Sequence, residues 1–418
     1  FSEIPDEEDR RKYILENMIY SAELTPKNVF IYKKIFCDDK YKLNIYEGDS
    51  IKELDIKRDF GVDNFDVVLG NPPYNKGNIR AAQKIQTGMK SETIWPKFVE
   101  KSFEWLKPDG FLVFINPLSW LKKSHSMHNE MLEKHIIWLK LWDYMKSLST
   151  INGKIPISLY LLKNVENMNK ETTQIISEIQ SRKIYTTSTE YLNPKYSIPL
   201  AFHSIFNKLI LFIERHNCSL EYKTKTIKSS GNKAKIPTEY TLEDNWAIDT
   251  YTIKEGIMVK KAIEIHPDAN KRKLIIANKS TLVGSFIDNG KLSLTGNHKF
   301  YILGENLEII DNIFKFKLMN IIVNCCKYAQ EYLEKDAFDY IPDIRKLDIQ
   351  DITEDEFYKL IGLTRQEINQ IKNPLTTELL EDKPKHTPIK LDEKTVLVPP
   401  LEAFKDKSIA TTSPIPIK

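Results

Sequence analysis

An α/β fold built on a mostly parallel sheet is expected over residues 1–164 of this 418-residue chain. Three observations predict it. Stretches with helical periodicity alternate with short apolar runs from Phe1 to Asn164, the pattern of consecutive strand–helix units. The run Phe65–Leu69 reads as a strand buried on both faces, as strands of parallel sheets are. Phe111–Ile115 is a second such run. In chain order, Glu7–Met18 reads as a helix and Ile19–Leu24 as a strand. Pro26 opens a helix through Ile35, because proline loses nothing in a first helical turn. Lys42–Tyr46 is the next strand and ends in Glu47-Gly48-Asp49-Ser50. Ile94, Phe98, Phe103 and Leu106 share one helix face, closed by Lys107-Pro108-Asp109-Gly110. Ile157–Leu162 is a late strand.

The pattern changes afterwards. Residues 165–345 mix strand-like pieces such as Lys273–Ile276 and Lys299–Leu303 with helical ones such as Phe202–Arg215 and Asn312–Gln330, which predicts a separate α+β domain. Residues 346–373 form a short helical unit: Thr353–Glu356 and Thr364–Glu367 both match the capping box, and Gly362 stands where the first helix should end. Residues 374–418 hold seven of the chain's 20 prolines and no glycine, the composition of an extended tail or linker.

Composition excludes several classes. No apolar run approaches the ~18–20 residues of a membrane span. Phe1–Tyr20 carries no signal core. Cys37, Cys218, Cys325 and Cys326 make no CxxC pair, which fits a reducing compartment and a cytoplasmic location. His125, His128 and His135 fit no ligand spacing, so no metal is expected. The net charge is only +3, but its distribution is uneven. Lys223, Lys225, Lys228, Lys233 and Lys235 lie in a stretch without acids, and Lys271-Arg272-Lys273 adds a second cluster. Both are candidates for phosphate contacts.

Asn71-Pro72-Pro73-Tyr74 follows the strand Phe65–Gly70 directly. Two prolines at a strand's carboxyl end make a rigid non-helical loop, in the place where open α/β sheets bind ligands. An Asn side-chain oxygen and a proline-locked carbonyl can accept both hydrogens of an exocyclic amine. Tyr74 offers a face for a planar base. The plainer alternative is a Pro-Pro turn whose Asn bonds its own backbone.

These residues resemble the signature of the S-adenosylmethionine-dependent amino-methyltransferases, and within them the N6-adenine DNA methyltransferases of restriction–modification type. Tyr20–Pro26 is similar to the family's second strand, which makes Glu23 the acid for the cofactor's ribose hydroxyls. Gly48-Asp49-Ser50 is similar to the third, with Asp49 at the cofactor's adenine amine and Ser50 beside it. Trp95–Leu106, Lys107–Gly110, Phe111–Asn116 and Ile155–Lys163 resemble the elements that follow, so the likeness covers about Ile14 to Asn164 in order. It implies a Rossmann-like methyltransferase domain followed by a target-recognition domain. It implies S-adenosylmethionine as cofactor, double-stranded DNA as substrate and a cognate restriction endonuclease as partner, in a bacterium or a phage- or virus-infected cell. An extruded adenine would be held by Asn71 and Pro72, with Asn71 also touching the cofactor, and stacked on Tyr74 with Tyr144 on its other face. Pro73 completes the loop, and Lys76, Arg80 and Lys84 on Asn75–Met89 would meet the DNA. The family's glycine-rich first loop should precede Glu23 by about 20 residues, but the first glycine here is Gly48, so either the chain is expected to begin downstream of that loop or the cofactor site has decayed. The alternatives are a methyltransferase of RNA or of protein glutamine, and a catalytically inactive DNA-binding specificity subunit.

Overall fold

The computed structural model describes residues 3–37, 39–75, 92–142, 157–179, 184–252, 256–277, 282, 284–295, 300–328 and 333–373. Helix α1 (Glu7–Asn17) starts where the Asp6 carboxylate accepts the backbone N–H groups of Glu8 and Asp9, both at 2.9 Å. Strand β1 (Tyr20–Glu23) leads into α2 (Pro26–Ile35), with proline in the first turn as expected. β1 pairs in parallel with β2 (Asn44–Glu47), so that Glu23 lies opposite Glu47. After the short helix α3 (Ile56–Phe60) comes β3 (Phe65–Gly70). Helix α4 (Trp95–Trp105) returns to β4 (Leu106–Pro117), parallel to β3. Helix α5 (Met127–Glu133) precedes β5 (Lys134–Trp142), and β6 (Ile157–Glu166) runs antiparallel between β4 and β5.

Two sheets result. β1 and β2 form a two-stranded sheet, and six strands follow the order β3-β4-β6-β5-β7-β8. β7 (Thr173–Ile179) and β8 (Ile184–Glu190) carry that sheet past residue 164, where the sequence places a boundary. Parallel pairing holds for β1–β2, β3–β4 and β5–β7, while β6 opposes both its neighbours.

Strand β3 departs from expectation. It has only one pairing partner among the described residues. Val68 packs on the core, but Val67 is 46% and Leu69 76% exposed. Helix α4 contacts β3, and no described element covers the face that carries Val67 and Leu69. The rings of Tyr20 and Phe65, the first residues of β1 and β3, lie 5.4 Å apart, so the two sheets meet there without backbone pairing.

Farther along, α6 (His203–His216) is followed by a four-stranded sheet in the order β14-β10-β11-β9. Its strands are β9 (Ser229–Lys235), β10 (Trp246–Thr252), β11 (Gly256–Ala262) and β14 (Ser293–Leu294). A three-stranded sheet joins β12 (Arg272–Ile276) to β13 (Phe286–Asn289) and β15 (Phe300–Leu303). The helix expected over Asn312–Gln330 is broken into α7 (Leu307–Ile313) and α8 (Lys317–Cys325). Phe316 takes an extended conformation at the break and buries its ring against Phe357, 5.6 Å between centroids. Helices α9 (Glu354–Leu360) and α10 (Arg365–Lys372) each begin with a complete capping box. No helix among the described residues is long and apolar enough to cross a membrane. The tail from 374 lies outside the described residues.

The start of α6 makes stability depend on pH. His203 is 3% exposed, its Nδ1 lies 3.2 Å from Ser188 Oγ, and Nε2 has no partner among the described residues. Burial lowers its pKa to about 4. The unfolded chain therefore binds this proton first as pH falls below about 6.5, and folding loses stability through the window down to about 4. Between pH 7 and 4.5 this one group should cost about 2–3 kcal/mol. Denaturant melts of the wild type and of His203→Gln at the two pH values check it. The variant should lose less stability by about that amount, and parallel losses would refute the assignment.

Candidate active site

The loop after β3 is held from both sides. Pro72 is buried, Tyr74 is half-buried against the main core, and Asn71 and Pro73 are exposed. The Tyr74 carbonyl accepts the N–H of Ile94 at 3.1 Å, and Asn75 bridges to Thr93. Ile94 leads directly into Trp95, the first residue of α4, which is 1% exposed and stacks on His125 at 5.3 Å and 18°. Nδ1 of His125 accepts the N–H of Met127 at 3.2 Å. Burial, with the charges of His128 and Lys122, lowers the His125 pKa and keeps the ring neutral. Burial also raises the Tyr74 pKa, so the phenol keeps its proton.

Beside the loop, Gly70 is in register with Phe114 of β4, and two residues on stands Asn116, fully buried. Asn116 Nδ2 donates to Tyr160 Oη at 2.7 Å, and Ser158 Oγ donates to the Asn116 carbonyl at 3.2 Å. Trp120 Nε1 donates to Ser158 Oγ at 2.9 Å. Asn116 Oδ1 is buried with no partner among the described residues. A bonded polar network in a water-poor site is rigid, and this one fixes the strand end that flanks the loop. Sequence reasoning did not single out these residues, and it weighed His125 only as a metal ligand. The available signal was a polar Asn-Pro pair ending the apolar run Phe111–Ile115.

Asn71 makes no side-chain hydrogen bond to another described residue, in contrast to the self-bonded turn of the plainer reading. Its amide oxygen and the Pro72 carbonyl are two acceptors on a backbone whose φ the prolines restrict. Such a pair suits an amino group with two hydrogens.

Glu23 and Asp49 stand at adjacent strand ends, tied where the Gly48 N–H donates to the Glu23 carbonyl at 3.1 Å. Glu23 Oε1 accepts the Thr25 N–H at 2.9 Å and Asn28 Nδ2 at 3.2 Å. Its other oxygen has no partner among the described residues. Asp49 Oδ1 accepts the Ile51 N–H at 3.1 Å, while Oδ2 pairs with Lys52 at 3.0 Å. That bond to Lys52 lowers the Asp49 pKa. Ser50 is half-buried beside it. Two oriented carboxylates suit the hydroxyls and the amine of a nucleoside.

The expected DNA-contacting residues divide. Lys76, Arg80, Lys84 and Tyr144 lie outside the described residues. Lys273 cannot touch a phosphate, because its side chain is fully buried and bonded to Asp288 at 2.5 Å. Lys223 and Lys271 both pair with Asp268, Arg272 with Glu308 and Lys233 with Asp249. Lys225, Lys228 and Lys235 are exposed with no ion pair among the described residues.

Residues 9–149 match the family described as Eco57I restriction-modification methylase. No curated protein sequence matches the chain. Among solved structures, it is similar to a type I restriction-modification methyltransferase subunit from Streptococcus thermophilus, at 18% identity and TM-score 0.29. That match covers 42% of this chain and 39% of the other. It is also similar to the type IIL enzyme MmeI solved in complex with DNA, at 10% identity and TM-score 0.42, covering 74% and 51%. For a nuclease-deletion mutant of the type ISP enzyme LlaGI the values are 10% and 0.41, covering 81% and 47%. The chain thus spans about half or less of the length of these proteins. Over residues 9–149, about a third of its length, the chain is similar to the restriction-modification methylase family.

Proposed function

We propose that this chain is the catalytic part of a DNA methyltransferase that acts on the N6 amine of adenine. One observation carries the reading: Asn71 is exposed, with an amide oxygen that no described residue uses, beside the Pro72 carbonyl on a loop anchored through Tyr74 and Ile94. S-adenosylmethionine is the expected cofactor, and it supplies an electrophilic methyl group. The free oxygen of Glu23 suits its ribose hydroxyls, and Asp49 and Ser50 suit its adenine. Asn71 and Pro72 accept the two N6 hydrogens and orient the nitrogen lone pair. Tyr74 stacks on the base, a contact worth about 1–3 kcal/mol. The base must first leave the duplex, at a few kcal/mol. Positioning and exclusion of water then do most of the work, since no side chain needs to move a proton before the methyl is attacked. Double-stranded DNA is the substrate, residues 165–345 the target-recognition domain, and a cognate endonuclease a partner in the cell.

The full-length protein, incubated with S-adenosylmethionine and mixed-sequence duplex DNA, should produce N6-methyladenine, read by mass spectrometry of the nucleosides. Methylation of cytosine, RNA or protein glutamine instead would overturn the reading.

A further inference from the structure

The ion pairs of residues 223–273 separate lysines that are already neutralised from those that are not, and the second group lies on β9 and the segment that leads into it. Among the described residues, strand β9 ends its sheet and pairs only with β11. Residues Ser230 to Lys235 are all exposed. Ser230 lies opposite Lys261 and Ala234 opposite Val259, so Gly231, Asn232 and Lys233 together face the single residue Lys260. This bulge pushes the chain outward at Gly231, whose φ of +78° needs glycine and whose missing Cβ would meet nothing within 4 Å. Lys233 and Lys260 close on opposite oxygens of Asp249, at 2.9 and 3.3 Å, which pins the base of the bulge.

The approach to β9 is equally fixed. The Lys225 carbonyl lies 3.0 Å from His266 Nε2, Ile227 N–H donates to the Leu294 carbonyl at 2.9 Å, and Ile263 N–H donates to Lys228 at 3.2 Å. A rigid backbone thus presents Lys225, Lys228 and Lys235, three ammonium groups with no carboxylate partner among the described residues. Asn232 stands exposed between them with both donors and an acceptor.

We propose that β9 and the segment that leads into it form the surface that seats double-stranded DNA, with Lys225, Lys228 and Lys235 on phosphates and the Gly231-Asn232 bulge facing the groove. The proposal rests on the DNA reading given above. Charge selects the occupant: an unpaired polar edge crowned by uncompensated lysines repels another basic strand edge and attracts a polyanion. Asn232 has the donor–acceptor pair that reads an adenine edge.

The test measures duplex affinity of the full chain against salt by fluorescence anisotropy. Each phosphate contact adds about 0.9 to the slope of log K against log salt. Lys228→Ala/Lys235→Ala should therefore flatten the slope by about 1.8 with melting unchanged. Lys101→Ala/Lys315→Ala removes the same charge from lysines held by Glu104 and Asp311, and should leave the slope as it is. An unchanged slope in the β9 pair, with the parent still binding DNA, overturns this surface and leaves the DNA reading intact. If that variant instead self-associates at an unchanged slope, the lysines only guard an edge strand against aggregation. A parent that shows no salt-sensitive binding overturns both.

Discussion

Asn71→Ala should lower methyl transfer to adenine by about 10²–10³-fold, the usual effect of losing one preorganised polar contact to the reacting group. The substitution should barely touch stability. Asn71 is exposed and bonds no other described side chain, so the change belongs with surface substitutions of within about ±0.5 kcal/mol. Duplex affinity should also hold, because phosphate contacts dominate it and lie elsewhere. The three readouts are initial rates of N6-methyladenine formation, thermal melting and anisotropy. Tyr74 supplies an internal comparison. Tyr74→Phe keeps the stacking face and should stay active, whereas Tyr74→Ala loses about 1–3 kcal/mol of stacking. Undiminished transfer by the Asn71 variant would remove the role given to its amide oxygen.

The parts of this site that depend on local chemistry could be read from sequence. Proline at Pro26 sets the start of α2, and the two Thr-x-x-Glu boxes form as capping chemistry requires. Asn71-Pro72-Pro73-Tyr74 lies at the carboxyl end of a strand because the apolar run ends there and prolines cannot continue it. What depends on neighbours was not readable. Phe65–Leu69 has the letters of a strand buried on both faces, yet Leu69 is 76% exposed because no described element covers it. The apolar period through Phe316 continues a helix, and the break is held by partners about 40 positions away, the ring of Phe357 on Phe316 and the Glu354 carboxylate on the Lys317 N–H. The lysine clusters divide into paired and unpaired members for the same reason. A run of cations is uniform in sequence, but strand alternation sends neighbours to opposite faces and the acids that pair with them come from distant segments.

Lys273 shows this most sharply and carries the largest expected loss of stability. Its side chain is fully buried, and its three N–H bonds are all used. They go to the Ala269 carbonyl at 2.9 Å, the Lys271 carbonyl at 3.1 Å and Asp288 at 2.5 Å. Asp288 faces Lys273 across β12 and β13 and also accepts the N–H groups of Lys291 and Leu292. Burial pushes the Lys273 pKa down, and the Asp288 carboxylate opposes that shift. Lys273→Ala leaves a buried carboxylate without its cation, which should destabilise the fold by about 3–5 kcal/mol in denaturant melts. Replacing both partners, as Lys273→Met/Asp288→Leu, should recover most of the loss, because a buried pair exchanged for apolar groups of similar size is often neutral. The same variants decide whether this lysine has any share in DNA binding. The double variant removes the ammonium group, so an unchanged slope of affinity against salt would place the whole effect in the core. A slope flattened by about 0.9 would mean that Lys273 reaches a phosphate after all, and the buried pair would then be wrong.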